Sequence, residues 1–301
     1  MKKSQTSEFH QPVLLQEVIK LLAVKPGQWY VDATLGGAGH TTKILKRKGK
    51  VLGIDWDKEA LRAAKEHLSL VCPDAPWRLF QGNFTQLEEI VLKAKLNRIK
   101  GILFDLGVSS YQLGGHGRGF SFQVNEELDM RMDPEKQQVT AKDLLAALNE
   151  GELREIFEKF AQEALAKPIA RRIVLERQRI PIQTTLQLKK LIWEVYRRKQ
   201  RGKRIDPATK VFQALRIAVN DELHNLESGL AKAWLVLAKG GRLVVISFHE
   251  GEDRIVKNQF REWAKNGLGK ILTNKPIQAQ SLEIIKNPRS RSAKLRAIIK
   301  K

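Results

Sequence analysis

The first third of the chain alternates short β-rich runs with amphipathic helical stretches, and few architectures accept that pattern. Strand-like runs at Trp29 to Thr34, Val51 to Asp55, Arg78 to Gln81 and Ile102 to Leu106 surround a helix starting near His40 and another over roughly Lys58 to Leu70. The second helix collects Ala60, Leu61, Ala64 and Leu68 on one face. Strands spaced by helices predict βαβ units, a parallel sheet and right-handed crossovers.

After Ser110 the texture changes. Leu113 to Phe122 is glycine-rich, and from Thr140 to roughly Arg201 the apolar spacing is helical throughout. Pro168 is expected to kink or divide one of these helices, and Thr184 and Thr185 to cap the next. Asp206 followed by Pro207 reads as an N-cap with proline in the first turn, opening a helix through Phe212, Leu215, Ile217 and Val219. Gly240 and Gly241 close the helical region before a buried strand at Leu243 to Phe248, and Ala293 to Ile299 is read as the last strand. The expected organisation is therefore a discontinuous sheet domain, 1–112 and 207–301, interrupted by a helical insertion, 113–206.

A net charge of +21, from 54 Lys and Arg against 33 Asp and Glu, exceeds what solubility requires and points to a polyanionic partner. The excess concentrates at Arg197, Arg198, Lys199, Arg201, Lys203 and Arg204 and in the tail from Lys286 to Lys301, which holds no acid. Nucleic acid fits better than an anionic membrane surface. The single cysteine, Cys72, excludes an internal disulfide and a cysteine-built zinc site, and the chain contains no run of about 18 apolar residues. A cytoplasmic location is expected.

The chemistry gathers at the strand ends. Gly36, Gly37, Ala38, Gly39 and His40 lie between a strand and a helix, where backbone can approach a ligand that a side chain would exclude. About 21 residues after Thr34, Asp55 ends the second strand at the spacing of a ribose-binding acid. Asp32 and Asp105 end two further strands, so carboxylates converge on one sheet edge of a cationic protein. A pyrophosphate would be repelled there, which disfavours a nicotinamide oxidoreductase; S-adenosylmethionine, with its sulfonium and ammonium, suits the edge. The bland alternative is that Asp32 and Asp105 merely cap loops.

Several segments resemble the bacterial ribosomal RNA small subunit methyltransferase H family, which methylates cytosine N4 in 16S rRNA. They are His10 to Glu17 (HQPVLLQE), Val31 to His40 (VDATLGGAGH), Phe104 to Ser110 (FDLGVSS), Arg118 to Phe122 (RGFSF) and Leu128 to Asp133 (LDMRMD). Pro207 to Asn220 (PATKVFQALRIAVN), Ser247 to Lys257 (SFHEGEDRIVK) and Asn287 to Arg296 (NPRSRSAKLR) extend the likeness along nearly the whole chain. The resemblance implies an α/β fold with a Rossmann-like class I methyltransferase sheet and an inserted all-helical, RNA-recognising domain. It implies cofactor contacts from Ala38, Gly39, His40, Asp55, Phe84, Asp105 and Gln112, and a target in the decoding region. The pattern departs at Glu250 and Gly251, where Ser-Leu is usual, at Ala161 and Gln162, where Gly-Glu is common, and at Lys167 and Pro168.

Methyl transfer from a sulfonium is a displacement, in which alignment supplies roughly 7 to 11 kcal/mol. Cytosine N4 is a weak nucleophile, so an acceptor for its proton helps, and Asp105 is the candidate, in Asp-Leu-Gly-Val rather than the Asn/Asp-Pro-Pro-Tyr of many amino methyltransferases. His249 is a second candidate, although a lone histidine is more often structural; Phe120, Phe122 and Phe248 are potential base platforms that read equally as core. Arg118, Arg131, Arg254, Arg289 and Arg291 are expected phosphate contacts, against the alternative of surface ion pairs. No catalytic metal is expected from the Asp129 to Asp133 segment. The partner is 16S rRNA in the small ribosomal subunit, with a homodimer left open. A non-catalytic RNA-binding assembly factor, or a methyltransferase for another base, is the competing reading, and cofactor binding separates the first from an enzyme.

Overall fold

The computed structural model describes residues 12–107, 117–197 and 206–301. The chain forms two compact units, Met1–Ser110 with Leu223–Lys301 and Tyr111–Glu222.

The first unit holds a seven-stranded sheet of order β3-β2-β1-β4-β5-β7-β6. Helix α1 (Leu15–Leu22) precedes β1 (Trp29–Asp32), α2 (Gly39–Lys46), β2 (Lys50–Asp55), α3 (Lys58–Val71), β3 (Trp77–Gln81), α4 (Leu87–Lys93) and β4 (Ile99–Asp105). These strands pair in parallel, and β4 pairs in parallel with β5 (Leu237–Ser247). Strand alternation feeds two helical layers. Val31, Leu52, Ile102, Phe104 and Val245 join one core cluster, while Tyr30, Val51, Leu103, Val244 and Ile246 join the other. Because β1 lies between β2 and β4, the strand order reverses at β1, and the crevice outside the carboxyl ends of β1 and β4 is where such sheets take ligands.

The last strand, read from sequence as Ala293 to Ile299, spans Lys294–Lys300 and runs antiparallel between β5 and β6 (Gly269–Ile271). The glycines expected to end a helix lie inside β5. Gly240 adopts φ +72° where the register with β4 shifts between Ile99 and Gly101, so the strand starts at Leu237 and bulges instead of beginning at Leu243.

The second unit is helical among its described residues: α5 (Ala141–Ala147), α6 (Glu150–Ala161), α7 (Ala166–Arg177), α8 (Thr185–Arg197) and α9 (Ala208–Asn220). Reciprocal capping boxes, Thr140 with Asp143 and Asn149 with Glu152, start the first two. Pro168 divides nothing: it falls in the first turn of α7, where no intrahelical N–H bond is lost. Asp206 caps α9 as expected, its Oδ1 accepting from the Ala208 N–H at 2.9 Å. The boundary expected at 206/207 shifts, because α9 packs most extensively on α6, and the sheet unit resumes at Leu223 within the next helix, α10 (Glu222–Val236). Helix α11 (Glu250–Lys265) follows β5, and the short α12 (Ser281–Lys286) precedes β7 (Lys294–Lys300). Among the described residues no helix is long and apolar enough to cross a membrane.

Candidate active site

The loop between β1 and α2 is built for close approach. Gly36 (φ +48°) and Ala38 (φ +60°) take left-handed conformations, and a Cβ at Gly37 would meet nothing within 4 Å, leaving open space beside the backbone. Gly39 sits against Pro12, whose Cγ would be 3.0 Å from an added Cβ.

Three strand-end aspartates hold this loop and face the crevice differently. Asp32 is 1% exposed, its Oδ2 accepting from Thr41 Oγ1 at 2.7 Å and its Oδ1 from the Thr34 N–H at 3.4 Å. It braces the loop through these two bonds. Asp55 accepts the Gly36 N–H at 2.8 Å and the Asp57 N–H at 2.9 Å, one on each oxygen, which leaves lone pairs for ribose hydroxyls. Burial pushes both acids up to about 6 against these hydrogen bonds, and in Asp55 repulsion from Asp57 and Asp32 adds to it.

Asp105 is tied to the loop after β1 through its N–H, which donates to Thr34 Oγ1 at 2.6 Å. Its Oδ2 lies 3.5 Å from His40 Nδ1, while Oδ1 is buried without a hydrogen-bond partner among the described residues. Burial, then Asp32, then Glu252 hold this carboxyl well above the usual carboxylate range. A half-buried acid short of a cation, an unsatisfied oxygen and an open glycine fit a ligand bearing ammonium and sulfonium groups. Phe84, beside the end of β3, meets Phe104 edge-on at 5.3 Å, and a Cβ on Gly229 of α10 would reach within 2.4 Å of its ring. Gln112 lies outside the described residues.

Sequence comparisons identify the family of the chain. The model of the MraW methylase family covers residues 7–301. The chain belongs to the MraW methylase family. A Ribosomal RNA small subunit methyltransferase H of Trichlorobacter lovleyi is 46% identical over 96% of this chain and 98% of its own length. Proteins of the same name from Geotalea uraniireducens (46%, covering 97% and 98%) and Desulfotalea psychrophila (43%, covering 96% and 97%) are similar. Among solved structures, SMU.1697c of Streptococcus mutans in complex with SAH aligns at TM-score 0.48 and 13% identity, over 95% of this chain and 97% of that one. This MraW-family protein is a methyltransferase dependent on S-adenosylmethionine.

His249 takes a helix-capping position in this methylase. Its Nδ1 accepts the Glu252 N–H at 3.4 Å, and Glu252 Oε2 accepts the Phe248 and His249 N–H groups at 2.7 and 3.3 Å. Its Nε2 lies 3.3 Å from Glu252 Oε1 but is buried without a hydrogen-bond partner among the described residues, so the ring is held at the start of α11 through Nδ1 alone. A Cβ on Gly251 would lie 3.1 Å from His249 Nδ1, so the missing side chain lets the ring fold over this turn; Glu250 pairs with Lys294. Phe248 reaches toward Gly107, 3.4 Å from the place a Cβ would occupy.

The expected phosphate contacts divide. Arg131 is consumed by its own loop: it forks onto Asp129 at 2.7 Å on both oxygens and donates to the Pro134 and Gln137 carbonyls. Burial opposes it, but the hydrogen bonds from Arg131 hold Asp129 below its ordinary value. Arg131 therefore clamps its own loop. Arg118 lies over the Phe120 ring at 5.5 Å, Phe120 is buried, and Phe122 meets Phe212 edge-on at 5.1 Å. Arg254 and Arg291 are exposed, whereas Arg289 is half-buried and burial lowers its pKa.

Two residues of the helical unit escaped the sequence reading. Glu126 accepts the Gly117 and Gly119 N–H groups at 2.9 and 3.0 Å, shaping the turn that presents Arg118. Asn220 accepts from Met132 N–H and donates to the Met130 and Arg216 carbonyls, pinning the LDMRMD loop to α9. Only the positive φ demanded by Gly119 hinted at the first, and an amide at a helix end hinted at the second.

Proposed function

We propose that this enzyme methylates N4 of a cytidine in the decoding region of 16S rRNA, within the small ribosomal subunit in the cytoplasm. The observation that carries the reading is Asp105: a half-buried carboxyl at the end of β4, beside His40, held above the usual carboxylate range by burial and by Asp32 and Glu252, with one buried oxygen that no described residue satisfies. The names of the relatives supply the RNA class.

Bound S-adenosylmethionine supplies an electrophilic methyl group, and the N4–carbon bond forms as the carbon–sulfur bond breaks. The protein's share is placement and proton removal. Gly36 to His40 and Asp55 hold the nucleoside end, with the Gly36 N–H and Asp57 N–H keeping Asp55 in place for ribose hydroxyls. The Asp105 carboxylate takes the proton that N4 must lose, and His40 sits against its other oxygen. Phe248, beside Gly107, offers an apolar wall for the extruded base. The helical unit recognises the RNA, with Arg118 and, from the sheet unit, Arg254, Arg289 and Arg291 meeting phosphates.

The test is to incubate the protein with labelled S-adenosylmethionine and unmodified small subunits, digest the RNA and assay N4-methylcytidine by mass spectrometry. Product that disappears with Asp105→Ala supports the reading. Cofactor binding without product, or label on another base, overturns it.

A further inference from the structure

The helical unit presents an aromatic and cationic stripe that methyl transfer at the strand ends does not use. On α8 the buried face is Leu188, Leu191, Ile192 and Tyr196. On the outer face Leu186, Lys190, Trp193 and Arg197 recur at steps of three and four residues, which stacks them in one row. Leu186 and Trp193 are each 42% exposed, and Lys190 and Arg197 are exposed and carry no ion pair among the described residues.

The tryptophan is held, not loose. Its Nε1–H donates to Asp206 Oδ1 at 3.2 Å, an edge contact that fixes the indole while part of its surface stays in water. The acids near the row are already engaged. Glu194 is bound by Arg172 at 2.9 Å, and Asp206 by Lys189 at 3.3 Å and the Ala208 N–H. What remains is an indole flanked one turn away on each side by an unpaired cation. A bare hydrophobic row would suit a helix or a second copy; cations alternating with the exposed apolar groups suit an unpaired nucleic acid strand, whose bases stack while its phosphates meet charge.

We propose that this stripe binds a single-stranded segment of the RNA, with Trp193 stacking on one unpaired base and Lys190 and Arg197 meeting the adjacent phosphates. The proposal rests on RNA being the substrate. A duplex would bury the base faces that Trp193 needs.

The full chain would be titrated with a fluorescein-labelled single-stranded RNA of mixed sequence and with a hairpin duplex of equal length. Trp193→Ala is expected to weaken strand binding by about tenfold with the salt dependence unchanged, Trp193→Phe to retain most of it, and the duplex to change little. Lys190→Gln with Arg197→Gln should weaken it with a shallower salt slope, by roughly 0.7 per cation lost. Unchanged strand affinity in Trp193→Ala, an equal loss on the duplex, or a change in oligomeric mass instead of RNA affinity overturns the proposal. So does lost activity on intact subunits with strand affinity intact, which points to a protein partner. S-adenosylmethionine affinity controls for folding, and should Trp193→Ala fail that control, the Lys190/Arg197 variant decides. Strand binding that follows these variants in a protein transferring no methyl to rRNA would sustain the stripe while sinking the catalytic reading.

Discussion

His40 uses its Nε2 on the Val13 carbonyl at 3.0 Å and turns Nδ1 to 3.5 Å from Asp105 Oδ2. A neutral ring that donates from Nε2 has a bare Nδ1, so one proton must lie between the pair for it to attract. Burial and the neighbouring Asp32 and Glu252 favour keeping that proton on Asp105. Transfer therefore needs Asp105 to ionise first. The single-turnover rate at saturating cofactor is expected to climb with pH as this group titrates. Asp105→Asn should cut the rate by about 10²- to 10⁴-fold and erase the limb. Equal rates in both proteins would remove Asp105 from the chemistry.

Cofactor affinity should also depend on pH. Asp32 and Asp55 stand at about 6, above their ordinary values, so the folded protein without cofactor holds protons that the unfolded chain releases. Their contribution to stability is complete below the ordinary carboxylate pKa and is lost as pH rises through about 6. Ribose hydroxyls donate best to ionised Asp55, so S-adenosylmethionine should bind more tightly over that same window. Calorimetry from about pH 5 to about pH 7.5 is expected to show the dissociation constant falling, up to tenfold per unit below the pKa, and the cofactor-free melting temperature falling with it. A flat affinity would mean Asp55 is ionised throughout.

Gly229 backs Phe84, which the proposed function places beside the cofactor. In an exposed helix Gly→Ala gains about 1 kcal/mol, but here the new methyl would sit 2.4 Å from Phe84 and 3.4 Å from Phe104. Overpacking costs typically 1 to 3 kcal/mol, so the clash outweighs the propensity. Gly229→Ala is expected to lower stability by about 1 kcal/mol and weaken cofactor binding by displacing Phe84. Urea unfolding and calorimetry measure the two; a stabilised protein with normal affinity would show that Phe84 yields freely.

The sheet and the aspartates at its strand ends were legible because each rests on a local rule. Parallel strands bury both faces and read as apolar runs, and Asp32, Asp55 and Asp105 each end one. What periodicity omits is the identity of the partner. Asp206 marks where α9 begins, but an apolar face fits the sheet or α6 equally well until both are present, so the boundary was misplaced. Side-chain pairings were not legible for a similar reason. Arg131 reads as a free cation until Asp129 and two carbonyls enclose it, and His249 reads as a strand-end acceptor until Glu252 folds back onto it. Such pairings depend on rotamers that spacing leaves open.

The buried pair Asp253 and Arg296 joins the first turn of α11 to β7. Arg296 Nε and an Nη meet the two Asp253 oxygens at 2.6 and 3.1 Å with both residues under a tenth exposed, and Lys294 stands 3.8 Å off. Desolvation cancels most of the Coulomb gain of such a pair, so its net worth is small, whereas deleting one partner strands the other charge. Asp253→Asn is expected to cost about 3 kcal/mol in urea unfolding, since Lys294, nearer the surface, cannot discharge Arg296. Arg296→Met should cost less than Asp253→Asn, because Lys294 still answers the remaining carboxylate. Asp253→Asn with Arg296→Met should recover part of the loss, as no buried charge is left unmatched. If the double variant instead loses the sum of the two single changes, the pair is not coupled, and its bonds hold α11 to the sheet as independent contacts.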